Sequence, residues 1–493
     1  MARSIEDARG DVEHAVRELV ACADTHDGRF AAFEAELSRL LLAVGRAVVL
    51  LFLVRRAGAE QRGRYSHGGG TWSWAGWRTT ELGTRVGKVG FTRQIGRRTG
   101  LLRNQKADLP LDRELGLVGG FSLGAATLLT RLCAQMAFAS ARSTFAAFVQ
   151  WAPSPRATLR IIDAIGAHAR RFIEGLPAPE NDGEFLVVEV DGGGAPMITA
   201  REHRRRKRSK RARGGRHDRR DRRRANPRPR RTKGKKSKNS KVAFVGVLFT
   251  LRRMPDGTLE GPINKRIIAT FESHRALFAW LHREAVKRGY GTNSTVFIAD
   301  GSDHIWRLQK EFFPLAVPCL DWWHADEKLW EAGACIYREG SPALRAWVQQ
   351  QRGALRRGGI GRVLTTLADA RAAIPKTGPG NKGKRERLLD IQEHFAKNQH
   401  RMRYDRLRRE DLDIGSGAVE GAVRNLVRVR LDGPGMRWGR DRAELLLHLR
   451  CVLLNGQWEA FEKYLAPKTI ALAAKPVPAR THDAAPNPLA EAA

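Results

Sequence analysis

The sequence predicts an α/β fold: a sheet whose strands carry acidic residues at one end, preceded by a helical region. Three observations carry this. Phe185–Val190 and Thr295–Ala299 are apolar, largely β-branched runs, each stopped by an Asp-Gly pair at Asp191 and Asp300, the pattern of a buried strand running into a turn. Between them lie two more strand-like runs, Val242–Thr250 and Ile263–Phe271, and an amphipathic stretch between Ser273 and Arg288. Far downstream, Gly415-Ser416-Gly417-Ala418-Val419-Glu420 leads into the apolar-periodic positions Val423, Leu426 and Val427. That pattern predicts a helix with one buried face, Ser416 as its N-cap, and Glu420 in the first turn, where the helix dipole favours a carboxylate.

At 493 residues the chain has room for about three domains. Its net charge is +36 and its pI about 11.1, an excess that points to a polyanionic partner, nucleic acid or an acidic membrane surface. Five cysteines are scattered singly, with no Cys-x-x-Cys pair, so neither a zinc site nor a disulfide framework is legible and a reducing cytoplasm fits. The N-terminus lacks the basic-then-apolar order of a signal peptide. Leu40–Val54 is apolar but short for a span and contains Arg46, which predicts a packed helix and no membrane partner.

Taken in order, residues 1–60 predict amphipathic helices that pack or dimerise. Residues 61–110 are rich in Gly, Arg and Trp, with a weakly alternating strand pair over Thr84–Gln94. Leu123–Phe138 and Arg142–Trp151 predict two helices. Ala152-Pro153-Ser154-Pro155 breaks the second, and Ser154 caps a third with Pro155 at its first position. That helix is expected to bury Leu159, Ile162 and Ile165 and to expose Arg156, Thr158 and Arg160. The arrangement matches a helix-turn-helix DNA reader; a plain helical bundle fits it equally well.

In the strand over Phe185–Val190, Asp191-Gly192-Gly193-Gly194 is expected to end the run, the glycines allowing close backbone approach. Residues 201–241, including Arg204, Arg205 and Arg206, carry +20 of the total charge. Such a run cannot bury a core; it is expected to be disordered when free and to contact phosphates. After Asp300 come a helix (His304–Phe312), a short strand (Leu315–Leu320) and a helix opened by Asp321-Trp322-Trp323-His324. Trp306, Trp322 and Trp323 are expected in the core. Residues 337–400 predict a helical insertion contacting DNA, broken by a loop whose Lys376, Lys382 and Lys384 fit phosphate contact and a solvated loop equally well. The Ala- and Pro-rich tail from Lys468 is expected to be disordered. The order strand-Asp, strand, strand, helix, strand-Asp is that of a ribonuclease H-like fold, in which the first and fourth strands are neighbours.

The chain resembles a known family in its motifs. They are Asp191-Gly192 after a strand, Ile298-Ala299-Asp300-Gly301-Ser302-Asp303-His304-Ile305-Trp306, Cys319-Leu320-Asp321-Trp322-Trp323-His324-Ala325, and Ile414 through Glu420. Together they resemble the DDE transposases of bacterial insertion sequences, of the Kra group. Arg430-Leu431-Asp432-Gly433-Pro434-Gly435-Met436-Arg437-Trp438 and Leu449-Arg450 are similar to that family's end. The likeness covers roughly residues 110–465. It implies an RNase H-like catalytic domain that cleaves DNA and transfers strands with two Mg²⁺ (or Mn²⁺) ions. The metal-holding triad would be Asp191, Asp300 and Glu420, and Asp321 and His324 would join the catalytic set. Double-stranded DNA, as terminal inverted repeats and target, would be the partner of a homo-oligomer in the cytoplasm, associated with the nucleoid. Carboxylates suit this chemistry independently, because Mg²⁺ prefers oxygen ligands and three carboxylates can hold a pair of ions about 4 Å apart. His324 is equally readable as a structural histidine at the Asp321 turn.

The expected organisation is a helical and Gly-Arg-Trp-rich region over 1–110 and a helix-turn-helix region over 111–180. The catalytic core follows over 181–335, then the helical insertion over 336–410, the final core helices over 411–465 and a tail over 466–493. A non-catalytic, domesticated regulator that binds nucleic acid is the alternative. The basic run serves both; the acidic set favours the enzyme.

Overall fold

The structure, a computed structural model, describes residues 4–58, 61–100, 107–211, 240–410, 412–433, 436–468, 470 and 472. Most of the basic run (212–239) and the tail from 473 lie outside the described residues. The chain is a mixed α/β protein that divides into two compact units, 1–173 with 456–479, and 174–455 with 480–493. The C-terminal helix expected in the catalytic core therefore groups with the N-terminal unit. Within that unit the Phe461 and Tyr464 rings lie against Phe172.

The first unit begins with helices α1 (Ile5–Thr25) and α2 (Phe30–Ala57), packed on each other. A capping box between Ser4 and Asp7 starts α1. α2 is long and apolar enough to cross a membrane by length and composition. It also packs on a sheet: Leu50 and Leu53 share a core with Leu82, Val89, Phe91 and Leu111, and Arg46 donates to the Val86 carbonyl. The sheet is an antiparallel meander of β1 (Arg64–His67), β2 (Gly70–Thr84) and β3 (Gly87–Arg98). The strand pair anticipated over Thr84–Gln94 is thus the turn end of a much longer hairpin. Four helices follow: α3 (Pro110–Glu114), α4 (Leu123–Gln135), α5 (Phe138–Val149) and α6 (Pro155–Gly166). Ser154 caps α6 by accepting from the Ala157 amide, as its position before proline suggests. α7 (Ala169–Glu174) closes this stretch.

The second unit is built on a five-stranded mixed sheet. Its strands are β4 (Phe185–Pro196), β5 (Ser240–Arg253), β6 (Leu259–Thr270), β7 (Ser294–Ala299) and β8 (Val317–Leu320), in the order β6-β5-β4-β7-β8. β4, β5 and β6 pair antiparallel; β7 and β8 join parallel. α8 (Ala200–Arg211) leaves the sheet after β4, so the first part of the basic run is helical rather than disordered, with Arg204 and Arg205 exposed. α9 (His274–Lys287), α10 (Asp303–Phe312) and α11 (Trp322–Ile336) alternate with the later strands. The insertion comprises α12 (Pro342–Arg356), α13 (Ile360–Ala373), α14 (Asn381–Asn398) and α15 (Tyr404–Arg409). α16 (Gly417–Val423) runs into a π-helical turn, Arg424–Arg428, before α17 (Arg440–Leu454); α18 (Trp458–Leu465) belongs to the first unit.

Two glycines show which helices lie on which face of the sheet. A Cβ on Gly193 would meet Val423 and Val427 at 3.0–3.1 Å, so α16 and the π-turn cover that face. A Cβ on Gly246 would sit 2.5 Å from Leu281 of α9. Gly246 is opposite Val190, whereas Gly193 is an odd number of positions along β4, and side chains alternate across a strand. The two helices therefore cover opposite faces.

Candidate metal centre

Strand register sets the site. Val190 pairs with Ala299 at the end of the parallel β4–β7 ladder, so Asp191 and Asp300, each one residue farther on, stand side by side. Asp191 does not end its strand, as its glycines had suggested. β4 continues to Pro196 on β5, with Asp191 opposite Val245. The side where β7 stops is open beside Asp191, while the other side stays hydrogen-bonded. The Asp300 carboxylate accepts from the Ser302 amide at 2.9 Å, which orients it.

Side chains two apart on a strand share a face, so Glu189 lies on the face of Asp191 and Gly193. It is fully buried, and its Oε2 accepts from the Val419 amide at 2.7 Å. This bond secures the first turn of α16 to β4 and places Glu420 next in chain. Ser416 is not the cap that its position predicted. It makes no side-chain cap bond; its hydroxyl donates to Glu420 Oε1 at 2.9 Å and its amide donates to Asp321 Oδ1 at 2.7 Å. A carboxylate from the sheet has taken over the capping role, which releases the serine hydroxyl to orient Glu420. Local sequence offers no sign of this, because the two partners are 230 positions apart.

Asp321 follows β8 and caps α11, accepting from the His324 amide at 3.0 Å and from its Nδ1 at 2.5 Å. His324 therefore does occupy the Asp321 turn, and its ring also reaches the acidic cluster. Asp321, His324 and Glu420 each offer one ligand atom, all within 4.8 Å of one another, so this group could hold a metal ion. Donors around one octahedral ion lie about 3–4 Å apart given bond lengths near 2.1 Å, so the three would have to draw closer to share one ion.

The electrostatics tie the remaining acids to this group. Burial pushes the Asp191 carboxyl above its ordinary value; the Gly192 amide and the His324 charge oppose it, and the charges of Asp300 and Glu420 add to it. Glu189 is pushed up to about 8, by burial first, against the Val419 bond and with help from Asp413, Asp321 and Glu420. Burial works in the same direction at Asp321, yet bonds from His324 and from the Ser416 and His324 amides outweigh it and hold its carboxyl low. The hydrogen bond to Asp321 raises His324 to about 9 against the effect of burial, with the charges of Asp321, Asp300 and Asp191 contributing. Asp191 thus senses His324, Asp300 and Glu420, and His324 senses Asp321, Asp300 and Asp191.

Two other groups border the site. The imidazole of His394, from α14, packs on Gly301, where a Cβ would be 2.1 Å from its Cε1. Burial first, then the charge of Lys328, keeps this ring below its ordinary pKa, while Asp300 opposes them. Trp306 and Trp322 are core residues, at 2% and 5% exposure, but Trp323 is 54% exposed and leaves the expected core. Its Nε1 lies 2.8 Å from where a Gly415 Cβ would stand, so the glycine makes room for the indole on the loop ahead of Glu420.

The anticipated DNA-reading helix is partly corrected. Thr158 is buried, not exposed, and its hydroxyl donates to the Ser154 carbonyl at 3.1 Å. With its polar group satisfied inside the helix it can join the apolar face. The buried stripe is therefore Thr158, Ile161, Ile162 and Ile165, and Leu159 is only half-buried. Arg160 is half-buried and donates to the Leu472 carbonyl; Arg156 alone of the three is exposed as expected. The Arg206 side chain lies outside those described. No protein-family model matches the chain, and a search of curated proteins finds no match either.

Proposed function

We propose that this chain is a DDE-type transposase with an RNase H-like catalytic domain, which cuts and joins double-stranded DNA at the ends of its element. The observation that carries the reading is the placement of Asp191 and Asp300 side by side on parallel neighbours β4 and β7, with the Glu420 helix bonded to β4 through Glu189. The strand order, with the second strand antiparallel in a sheet of five, supports the RNase H-like reading. Asp191, Asp300 and Glu420 would hold two Mg²⁺ or Mn²⁺ ions, and Asp321 and His324 complete the set. Such ions, when bound, supply a polarised nucleophile and charge neutralisation at the phosphate. The chain's own residues set the stage for this. Ser416 orients the Glu420 carboxylate and Asp321 orients the His324 ring, which adds positive charge beside the acidic cluster when it is protonated rather than bound to metal. A cytoplasmic, nucleoid-associated homo-oligomer is part of this reading.

Incubating the protein with supercoiled plasmid and Mg²⁺ tests it. The wild type should nick the DNA, EDTA should stop the reaction, and Glu420→Gln should lower the rate by at least about a hundredfold, since an amide keeps the shape but loses the charge that holds the metal. Equal nicking by wild type and Glu420→Gln would remove the centre from the reaction.

A further inference from the structure

We infer that the insertion carries a second nucleic-acid contact, a groove between the ends of α12 and α15 that binds the phosphate backbone of duplex DNA. The inference rests on the DNA-processing reading above and assigns residues that no motif marks. The groove is a cavity of about 440 Å³ lined by Arg356, Arg357, Asp405, Arg408 and Arg409. All four arginines are exposed residues, while Ala354, Leu355, Tyr404 and Leu407 bury the helix ends that carry them. The charges are therefore displayed from a rigid base.

The charge balance inside the groove favours an anion. Asp405 is the one carboxylate lining it, and it is engaged by Arg409 at 3.1 Å and by Arg403 at 3.9 Å. Neighbouring acids are committed elsewhere: Glu410 to Arg406, and Asp326 to Arg352. Each helix C-terminus contributes about half a negative charge. With Asp405 that leaves about two of the four guanidinium charges in the groove uncompensated. Crowded like charges repel one another, and the repulsion is relieved when phosphate oxygens enter. Guanidinium groups suit that ligand because they present paired donors to it.

Local geometry prepares the site. The Arg356 guanidinium lies 4.7 Å from the centroid of the Trp322 ring, which is itself buried and follows Asp321 in the chain. Stacking restricts the arginine before any ligand arrives. Gly358 turns the chain out of α12 at φ +77, and a Cβ there would press on the Asp405 carboxylate at 2.9 Å. The turn thereby keeps Arg357 over the same groove. Its shallow form suits a strand of backbone passing across it.

The test is the salt dependence of duplex DNA binding, followed by fluorescence anisotropy of a labelled random-sequence duplex with EDTA present. Replacing Arg356, Arg357 and Arg408 together with Ala should make the slope of log K against log salt shallower by about 2–3, since each phosphate contact contributes about 0.9. Affinity near 0.1 M salt should fall by about a hundredfold or more. The matching triple Lys variant should keep most of the slope, because lysine still binds phosphate as a point charge. An unchanged slope in the Ala variant overturns the inference while leaving the catalytic reading intact. A loss shared equally by the Lys variant marks a packing role and also overturns it. Failure of the wild type to bind duplex DNA overturns both readings.

Discussion

Glu189 shows how one residue can shape a site from behind it. It is fully buried on the face that carries Asp191, and among the described residues its Oε1 has no hydrogen-bond partner. Burial without a countercharge favours the protonated carboxyl, which agrees with its raised pKa of about 8. The other oxygen holds the Val419 amide, and Glu420 follows in the chain. Glu189→Gln retains a carbonyl for that amide and should leave Mg²⁺-dependent nicking within about threefold of wild type. Glu189→Ala removes the cap, at about 0.5–2 kcal/mol of helix stability, and should weaken Mn²⁺ binding, read by electron paramagnetic resonance, together with the nicking rate. Equal Mn²⁺ affinity in all three proteins would confine Glu189 to packing.

At the scale of elements, the sheet is secured by buried charge as well as by apolar contact. Asp182, just ahead of β4, accepts from Arg288 Nε and Nη2 at 2.7–2.8 Å and from Thr250 of β5 at 2.8 Å. The Arg288 side chain is fully buried, so Asp182→Ala strands its charge and should cost about 3–5 kcal/mol. Burial acts to raise the Asp182 carboxyl, but the bonds from Arg288, Asn264 and Thr250 win and hold it below its ordinary value of 3.8. With the folded value the lower one, its stabilisation is present above pH 3.8 and is lost as the pH falls through the folded value. Thermal melts from pH 6 down to pH 2 should show a shallower acid decline for Asp182→Ala than for wild type; parallel curves would contradict the linkage.

The same elements show what could be read in advance. The strands at Phe185 and Thr295, the Ser154 cap and the helical insertion were legible because periodicity, breakers and caps are local signals. The extension of β4 past Asp191 was not, since glycines normally break strands; here β5 stays paired throughout and α16 needs the space above Gly193. Ser416 and Thr158 were misassigned for a related reason. Each bonds only four residues away, but Glu189 from the sheet takes the capping place at the one, and the other lies on the helix face that is buried. The exposure of Trp323 likewise depends on a distant glycine, Gly415. Of the site, the acids were legible one by one through their strand ends and their resemblance to a family. Glu189 and His394, brought in by tertiary contact, were not.

For the whole molecule, the proposed division of labour assigns base reading to the N-terminal unit and chemistry to the second. α6 buries Thr158, and Arg160 is committed to the Leu472 carbonyl, which leaves Arg156 at the start of the helix as the base-reading candidate. A bidentate Arg–guanine contact is worth about 1–3 kcal/mol of discrimination, a ratio of about 5 to 150 between end DNA and random DNA. Arg156→Ala should therefore reduce that ratio, measured by competition with DNA taken from the gene's flanks, and leave Mg²⁺-dependent nicking of random plasmid unchanged. Arg160→Ala should instead lower the melting temperature, because its bond is internal. Glu420→Gln should do the reverse of Arg156→Ala, abolishing nicking on every DNA while the preference for ends persists. If Arg156→Ala stops nicking of random plasmid and spares the preference, α6 serves as scaffold, and the reading surface must be sought elsewhere in the N-terminal unit.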